Sequence, residues 1–144
     1  VEVWDRQPLG DQEKFIGRTK GSGAPLSGGQ EFDEPDFDRQ GSDGPLMPVD
    51  SHVRVVHPDL NRGHRLLRRG YNFVDGSNAV GGLDAGLFFI AFVRDPRRQF
   101  VPMQNAMATQ DALMEYLRFT ASAVFACPPG VSGPDDWFGS ALFA

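Results

Sequence analysis

The residues able to do chemistry are bunched. Positions 49 to 73 read VDSHVRVVHPDLNRGHRLLRRGYNF, a stretch holding all three histidines, His52, His57 and His64, and arginines at 54, 62, 65, 68 and 69. Over the sixteen residues from 54 to 69 only Asp59 offsets those five cations, although the chain as a whole carries 14 Lys and Arg against 19 Asp and Glu, a net charge of −5. Three arrangements compete. A zinc site from the three histidines is the first, but their spacings of five and seven match no common zinc pattern, and the ligands would have to converge. Ordinary histidines beside arginines on a solvated face are the second. The third is an anionic cofactor held in a cleft. A histidine can give one ring nitrogen to a metal while the other donates to a carboxylate. Guanidinium groups bind carboxylates or phosphates as forks. Haem satisfies both halves, since its iron takes an axial histidine and its propionates take cations. The run GLFFIAF at 86–92 offers the apolar wall such a group needs.

The elements that would position these groups follow from periodicity and punctuation. SHVRVV, 51–56, alternates in polarity and is rich in β-branched residues, which predicts a strand bearing His52. NRGHRLLRRGYNF then reads as a turn, a short helical or irregular piece and a second short strand. GLFFIAFVRD, apolar on both faces, predicts a central strand, ended by Asp95-Pro96. A helix is expected from Thr109 to Phe119, with Leu113, Met114 and Leu117 on one stripe. SAVFACPPG predicts a last strand stopped by two prolines. Upstream, PLGDQEKFIGRTK predicts a helix with Asp11 and Glu13 near its start and Gly17 at its end. Residues 21–48, with Gly and Pro recurring and the acidic EFDEPDFD at 31–38, predict a loop. Those carboxylates lack calcium-loop spacing, and the glycines of 21–29 lack the Gly-Lys-Ser/Thr of a phosphate cradle. The resulting organisation is a lead-in helix and loop over 1–48, a core over 49–130 and a tail over 131–144 whose aromatics dock on the body. Strand, strand, helix, strand is an α+β pattern with helices on one face of an antiparallel sheet.

Bulk composition sets limits. The 144 residues, 40% hydrophobic with twelve phenylalanines, suit one domain with a core. The acidic balance argues against a nucleic-acid partner, and no apolar run is long enough for a membrane helix. Cys127, the one cysteine, sits in an apolar run and reads as a small buried hydrophobe. The start at Val1, without an initiator methionine, reads as that of a processed or truncated product.

Several long motifs, in order, resemble the C-terminal half of the dye-decolorizing peroxidases, in their bacterial, often secreted branch. They are IGRTKGSGAPL at 16–26, DSHVR at 50–54, LLRRGYNF at 66–73, GLFFIAFVRDPRRQFVPMQ at 86–104 and DALMEYLRFTASAVFACPPG at 111–130. The resemblance implies a ferredoxin-like α+β fold, half of a two-part dimeric α+β barrel. It also implies haem b as cofactor, and hydrogen peroxide and a reducing substrate such as a dye or phenol as partners. By the same resemblance His52 is the proximal iron ligand and Arg68 the distal arginine, with Arg69 the alternative. Leu87 and Phe89 belong to the distal wall, and Asp111 is the carboxylate behind His52, with Glu115 the alternative. Where relatives read Asn-Pro-Arg this chain has His57-Pro58-Asp59, so Arg62 or Arg54 would stand in for the missing arginine at the propionates, with His57 at the cofactor's edge. The family's Gly-x-x-Asp-Gly, which carries the distal aspartate, is absent here. An N-terminal half supplying it, as a separate chain or fragment, is therefore expected as a partner, and a homo-oligomer is compatible. The resemblance further implies an extracytoplasmic or secreted protein. Trp4, Tyr71, Tyr116 and Trp137 are candidates for electron transfer to bulky substrates, packing being the plainer role of each. A haem-handling, iron-releasing protein of the same fold is the competing function.

Overall fold

The computed structural model describes residues 1–143, leaving Ala144 of the expected tail outside. Helix α1 covers Glu2–Asp5 and helix α2 Leu9–Ile16. Asp11 lies in the first turn of α2, where negative charge meets the positive end of the helix dipole. Gly17 closes α2 in the left-handed conformation at φ 90°, its N–H donating to Glu13 O at 2.7 Å, as the sequence led us to expect. Residues 18–51 form turns and loops, with an isolated antiparallel bridge Arg18↔Pro25 and a two-residue ladder between β1 (Gln40–Gly41) and β2 (Gly44–Pro45). Helix α3 follows at His52–Val56, then strands β3 (Leu67–Ser77) and β4 (Leu83–Phe92), and helix α4 (Phe100–Gln110). Short 3-10 turns cover Ala112–Tyr116 and Ser140–Leu142. The class is α+β, as expected, although several elements differ from those read in the sequence.

The predicted strand at 51–56 is a helix. Alternating polarity favoured a strand, but the flanks decide otherwise. Ser51 N–H closes a turn onto Pro48 O at 3.1 Å, and Val55 N–H reaches Ser51 O at 3.0 Å. Pro58 then pushes His57 into an extended conformation at ψ 135°, which stops the helix at Val56. Packing outweighs the β preference of Val53, Val55 and Val56: Ser51 and Met47 are fully buried beneath α3. Gly17 makes that seat possible. A Cβ there would lie 3.1 Å from Ser51 Oγ and 3.2 Å from Met47 Cε.

β3 and β4 form an antiparallel hairpin, paired from Leu67↔Phe92 to Val74↔Ala85, with a shift in register before Ser77↔Leu83. Its loop is tied by Asn78, whose Oδ1 accepts from Val80 N–H at 3.1 Å and Gly82 N–H at 2.9 Å. Directly paired residues share a face. One face therefore carries Arg68, Gly70 and Asn72 with Ala91, Phe89 and Leu87; the other carries Arg69, Tyr71 and Phe73 with Ile90, Phe88 and Gly86. Two glycines admit large neighbours, since a Cβ on Gly70 would meet Leu87 Cδ1 at 2.8 Å and one on Gly86 would meet the Phe73 ring at 2.9 Å. Among the described residues β4 pairs with β3 alone, so the expected central strand is here one arm of a hairpin, with Leu87 56% and Phe88 63% exposed.

The expected helix over 109–119 also shifts. The α-helix ends at Gln110, and 3-10 geometry takes over because the Asp111 carboxylate captures Leu113 N–H at 2.9 Å. SAVFACPPG is no strand: 117–131 has no regular structure and Phe125 is 82% exposed. Its continuous apolar run is strand-like, but an isolated strand leaves its backbone donors and acceptors without a ladder. Cys127, expected to be buried, is exposed for the same reason. The tail aromatics pack chiefly on each other, Trp137 against Phe143 at 5.5 Å, and Trp137 and Phe138 stay exposed. Among the described residues no helix is long and apolar enough to cross a membrane. The small core lies where α2, α3, α4 and the 3-10 turn meet, with Met47 and Met103 buried. Trp4, Phe15 and Tyr116 form an aromatic cluster beside it, with centroids 5.2 to 6.2 Å apart.

Candidate active site

His52 is the first residue of α3, and Asp111 joins α4 to the following 3-10 turn. Packing of α3 on α4 brings them together across 59 positions of sequence, with His52 Nδ1 2.6 Å from Asp111 Oδ2. The Asp111 side chain is 0% exposed and that of His52 23%. Asp111 Oδ1 accepts from Leu113 N–H at 2.9 Å, and Asp50 O accepts from Ala112 N–H at 2.9 Å, so the carboxylate and the backbone around it are pinned. A carboxylate only accepts, so in a neutral imidazole this hydrogen bond puts the proton on Nδ1 and the lone pair on Nε2. Among the described residues nothing hydrogen-bonds Nε2. A fixed, partly open imidazole with one ring nitrogen unbonded is a donor suited to a single metal bond. Glu115, the alternative carboxylate, is exposed, and it is Asp111 that bonds His52.

The zinc arrangement is not formed: among the described residues no three His, Cys, Asp or Glu side chains converge as a metal set. His57 turns to the acidic loop, with Nε2 3.1 Å from Glu34 Oε2 and Nδ1 3.3 Å from the Asp59 backbone N. Arg54 does the same, its Nη1 donating to Phe37 O at 3.1 Å and Met47 O at 2.9 Å. Neither is directed toward the free nitrogen of His52. Arg62 is exposed in a tight turn at φ 66°, a left-handed conformation uncommon for a residue other than glycine. Arg68 is exposed on the same hairpin face as Leu87 and Phe89, so residues chosen from two separate motifs share one surface. Arg69 lies on the opposite face, where its Nε donates to Tyr71 Oη at 2.8 Å and its guanidinium covers the Tyr71 ring at 5.4 Å. Sequence reading missed Ser51, Met47 and Gly17 as the seat of the histidine helix. The one signal for them was a glycine placed to end α2.

The family model for the C-terminal part of Dyp-type peroxidases matches residues 1–132. The chain belongs to the Dyp-type peroxidase family. Over 144 residues it is 38% identical to a deferrochelatase of Escherichia coli K12, covering 99% of this chain and 34% of that protein. It is 39% identical over 132 residues to a dye-decolorizing peroxidase of Thermobifida fusca, covering 90% of this chain and 31% of that one. The chain thus spans about a third of the length of these curated relatives. Among solved structures, an oxyferrous/water mixed complex of DtpA from Streptomyces lividans superposes with a TM-score of 0.93 at 38% identity, covering 99% of this chain and 40% of that chain. A DyP-type peroxidase from Streptomyces coelicolor superposes at 0.91 and 39% identity, covering 98% and 39%. In this haem-linked family context, an imidazole held by a buried carboxylate, with no hydrogen bond to its second ring nitrogen among the described residues, suits an iron centre.

Proposed function

We propose that the chain is the haem-binding C-terminal half of a peroxidase that uses hydrogen peroxide to oxidise dyes and other bulky or phenolic substrates. The observation that carries this reading is the buried Asp111 carboxylate bonded to His52 Nδ1, with Nε2 left free. A bound haem b would supply an iron that takes up peroxide and accepts electrons from the reducing substrate. His52 Nε2 would bind the iron. Asp111 would keep the proton on Nδ1 and increase the basicity of the ring, as carboxylate partners of ligating histidines do. Arg68 would present its guanidinium to bound peroxide and stabilise negative charge developing there, an electrostatic role that gains strength once the face is covered. Leu87 and Phe89 would exclude water from that face. Arg62 would bind the propionates, since Arg54 and His57 are occupied by the acidic loop. The rest of the distal side, and cover for the exposed hairpin, would come from an N-terminal half outside this sequence.

The alternative is a haem-handling protein that releases iron without sustained peroxidase turnover, favoured by the deferrochelatase relatives. Rapid mixing of the purified, haem-loaded protein with hydrogen peroxide separates the two. The peroxidase reading expects repeated dye oxidation with haem iron retained. Iron release from intact haem, with no dye oxidised beyond the first turnover, would replace it with the alternative.

A further inference from the structure

The helix carrying His52 is held at both ends, and only one hold is accounted for. Asp111 fixes the N-terminal end. At five residues, three of them β-branched, α3 is far below the length at which a helix sustains itself. Its C-terminal end is gripped by Phe37. The Phe37 ring lies edge-on to the His57 imidazole, 4.9 Å away at 69°, while the Arg54 guanidinium covers its face at 5.5 Å. Its carbonyl accepts from Arg54 Nη1 at 3.1 Å. Glu34, in the same acidic loop, closes on His57 Nε2 at 3.1 Å.

The loop has an anchor of its own. Asp36 N–H donates to the Oγ of buried Ser27 at 3.0 Å, and Asp36 Oδ1 accepts from Asp38 and Arg39 N–H at 3.0 and 3.1 Å. This turn aims Phe37 inward, whereas Phe32, five residues earlier in the same acidic run, is 91% exposed. The loop therefore behaves as a strap fastened at Ser27 and wedged into the end of α3.

We propose that Phe37 is a positioning residue for His52, setting the imidazole through α3 in a way that Asp111 alone does not. Asp111 fixes one ring nitrogen, but the direction of Nε2 also depends on the backbone that carries the ring. Without the wedge the last turn of α3 opens and that backbone moves. The consequence for iron rests on the haem reading above; the effect on the His52–Asp111 hydrogen bond does not.

The test is Phe37→Ala in the complete protein, with Phe37→Tyr as the conservative variant. In haem-free protein the His52 Nδ1 proton resonance should shift or broaden in Phe37→Ala. Exchange of the Val55 and His57 amides should rise about fivefold, the scale of one lost aromatic contact. Phe37→Tyr should restore both. In haem-loaded protein the iron–histidine stretching band should shift in step. A lowered melting temperature with the proton resonance and both exchange rates unchanged would overturn the proposal. Should Phe37→Ala not fold, Phe37→Leu keeps the bulk, loses the ring, and is read by the same criteria. Absence of an iron–histidine band in the unaltered protein would sink the haem reading alone, the haem-free resonance still deciding on the strap.

Discussion

Asp111→Ala should be the costliest single change near the site, and its size can be worked from the contacts. The carboxylate is fully buried and accepts two hydrogen bonds, one from His52 and one from Leu113 N–H. Hydrogen bonds to a charged group contribute about 1.5–3 kcal/mol, and a lost N-cap costs about 1 kcal/mol. Alanine also leaves a buried N–H and an imidazole proton unmatched, so the loss should reach about 3–5 kcal/mol. Asp111→Asn separates the two roles. Its Oδ1 can still cap Leu113, so roughly half of that loss should return, while the charge behind the imidazole is gone. Loss of such an outer partner typically lowers metal affinity about 10- to 100-fold. Denaturant unfolding of haem-free protein gives the first quantity and haem competition the second. If Asp111→Asn matched the unaltered protein in haem affinity, and Asp111→Ala cost under about 1 kcal/mol, the assigned role of this carboxylate would be refuted.

Arg68→Leu should retain haem but slow peroxide cleavage about 100- to 1,000-fold, while Arg69→Leu, on the opposite hairpin face, should change it little; stopped-flow mixing with peroxide checks both. Gly17→Ala places a Cβ against Ser51 and Met47 at φ 90° and should lower stability by about 1–2 kcal/mol in denaturant unfolding. Hydrogen bonds from Ser140 and Ser132 hold the Asp136 carboxyl well below the usual carboxylate range. A group with a depressed folded pKa stabilises above its unfolded pKa and loses that contribution as pH falls through the folded one. The 132–140 loop should therefore keep its structure through the range where ordinary aspartates protonate, and loop resonances followed by NMR below pH 4 would show this.

What the sequence disclosed depended on whether a segment's structure is set by local signals or by partners distant in sequence. Helix α2 was legible because Asp11 and Gly17 are local signals, and the acidic 21–48 loop because Gly and Pro act locally. The pairing of His52 with Asp111 was named through family resemblance; no spacing announces a contact across 59 positions. The histidine helix was misread because its β-branched alternation is local while Ser51, Met47 and Gly17, which override it, act through packing. The stretch 117–131 shows the converse. Its strand pattern is plain, yet among the described residues no neighbouring strand completes a ladder, so the pattern is unrealised. In LRRG the sequence favoured Arg68 with Arg69 as the alternative, and the hairpin register puts the two on opposite faces.

The central claim is that His52 is the one protein ligand of a haem iron. Its most direct test is haem titration, followed by absorbance, of the unaltered protein beside His52→Ala, His57→Ala and His64→Ala. The account predicts a histidine-ligated Soret spectrum in the unaltered protein and in the His57 and His64 variants, with weak or no haem retention in His52→Ala. A normal histidine-ligated spectrum in His52→Ala, or no Soret band in the unaltered protein, would contradict it.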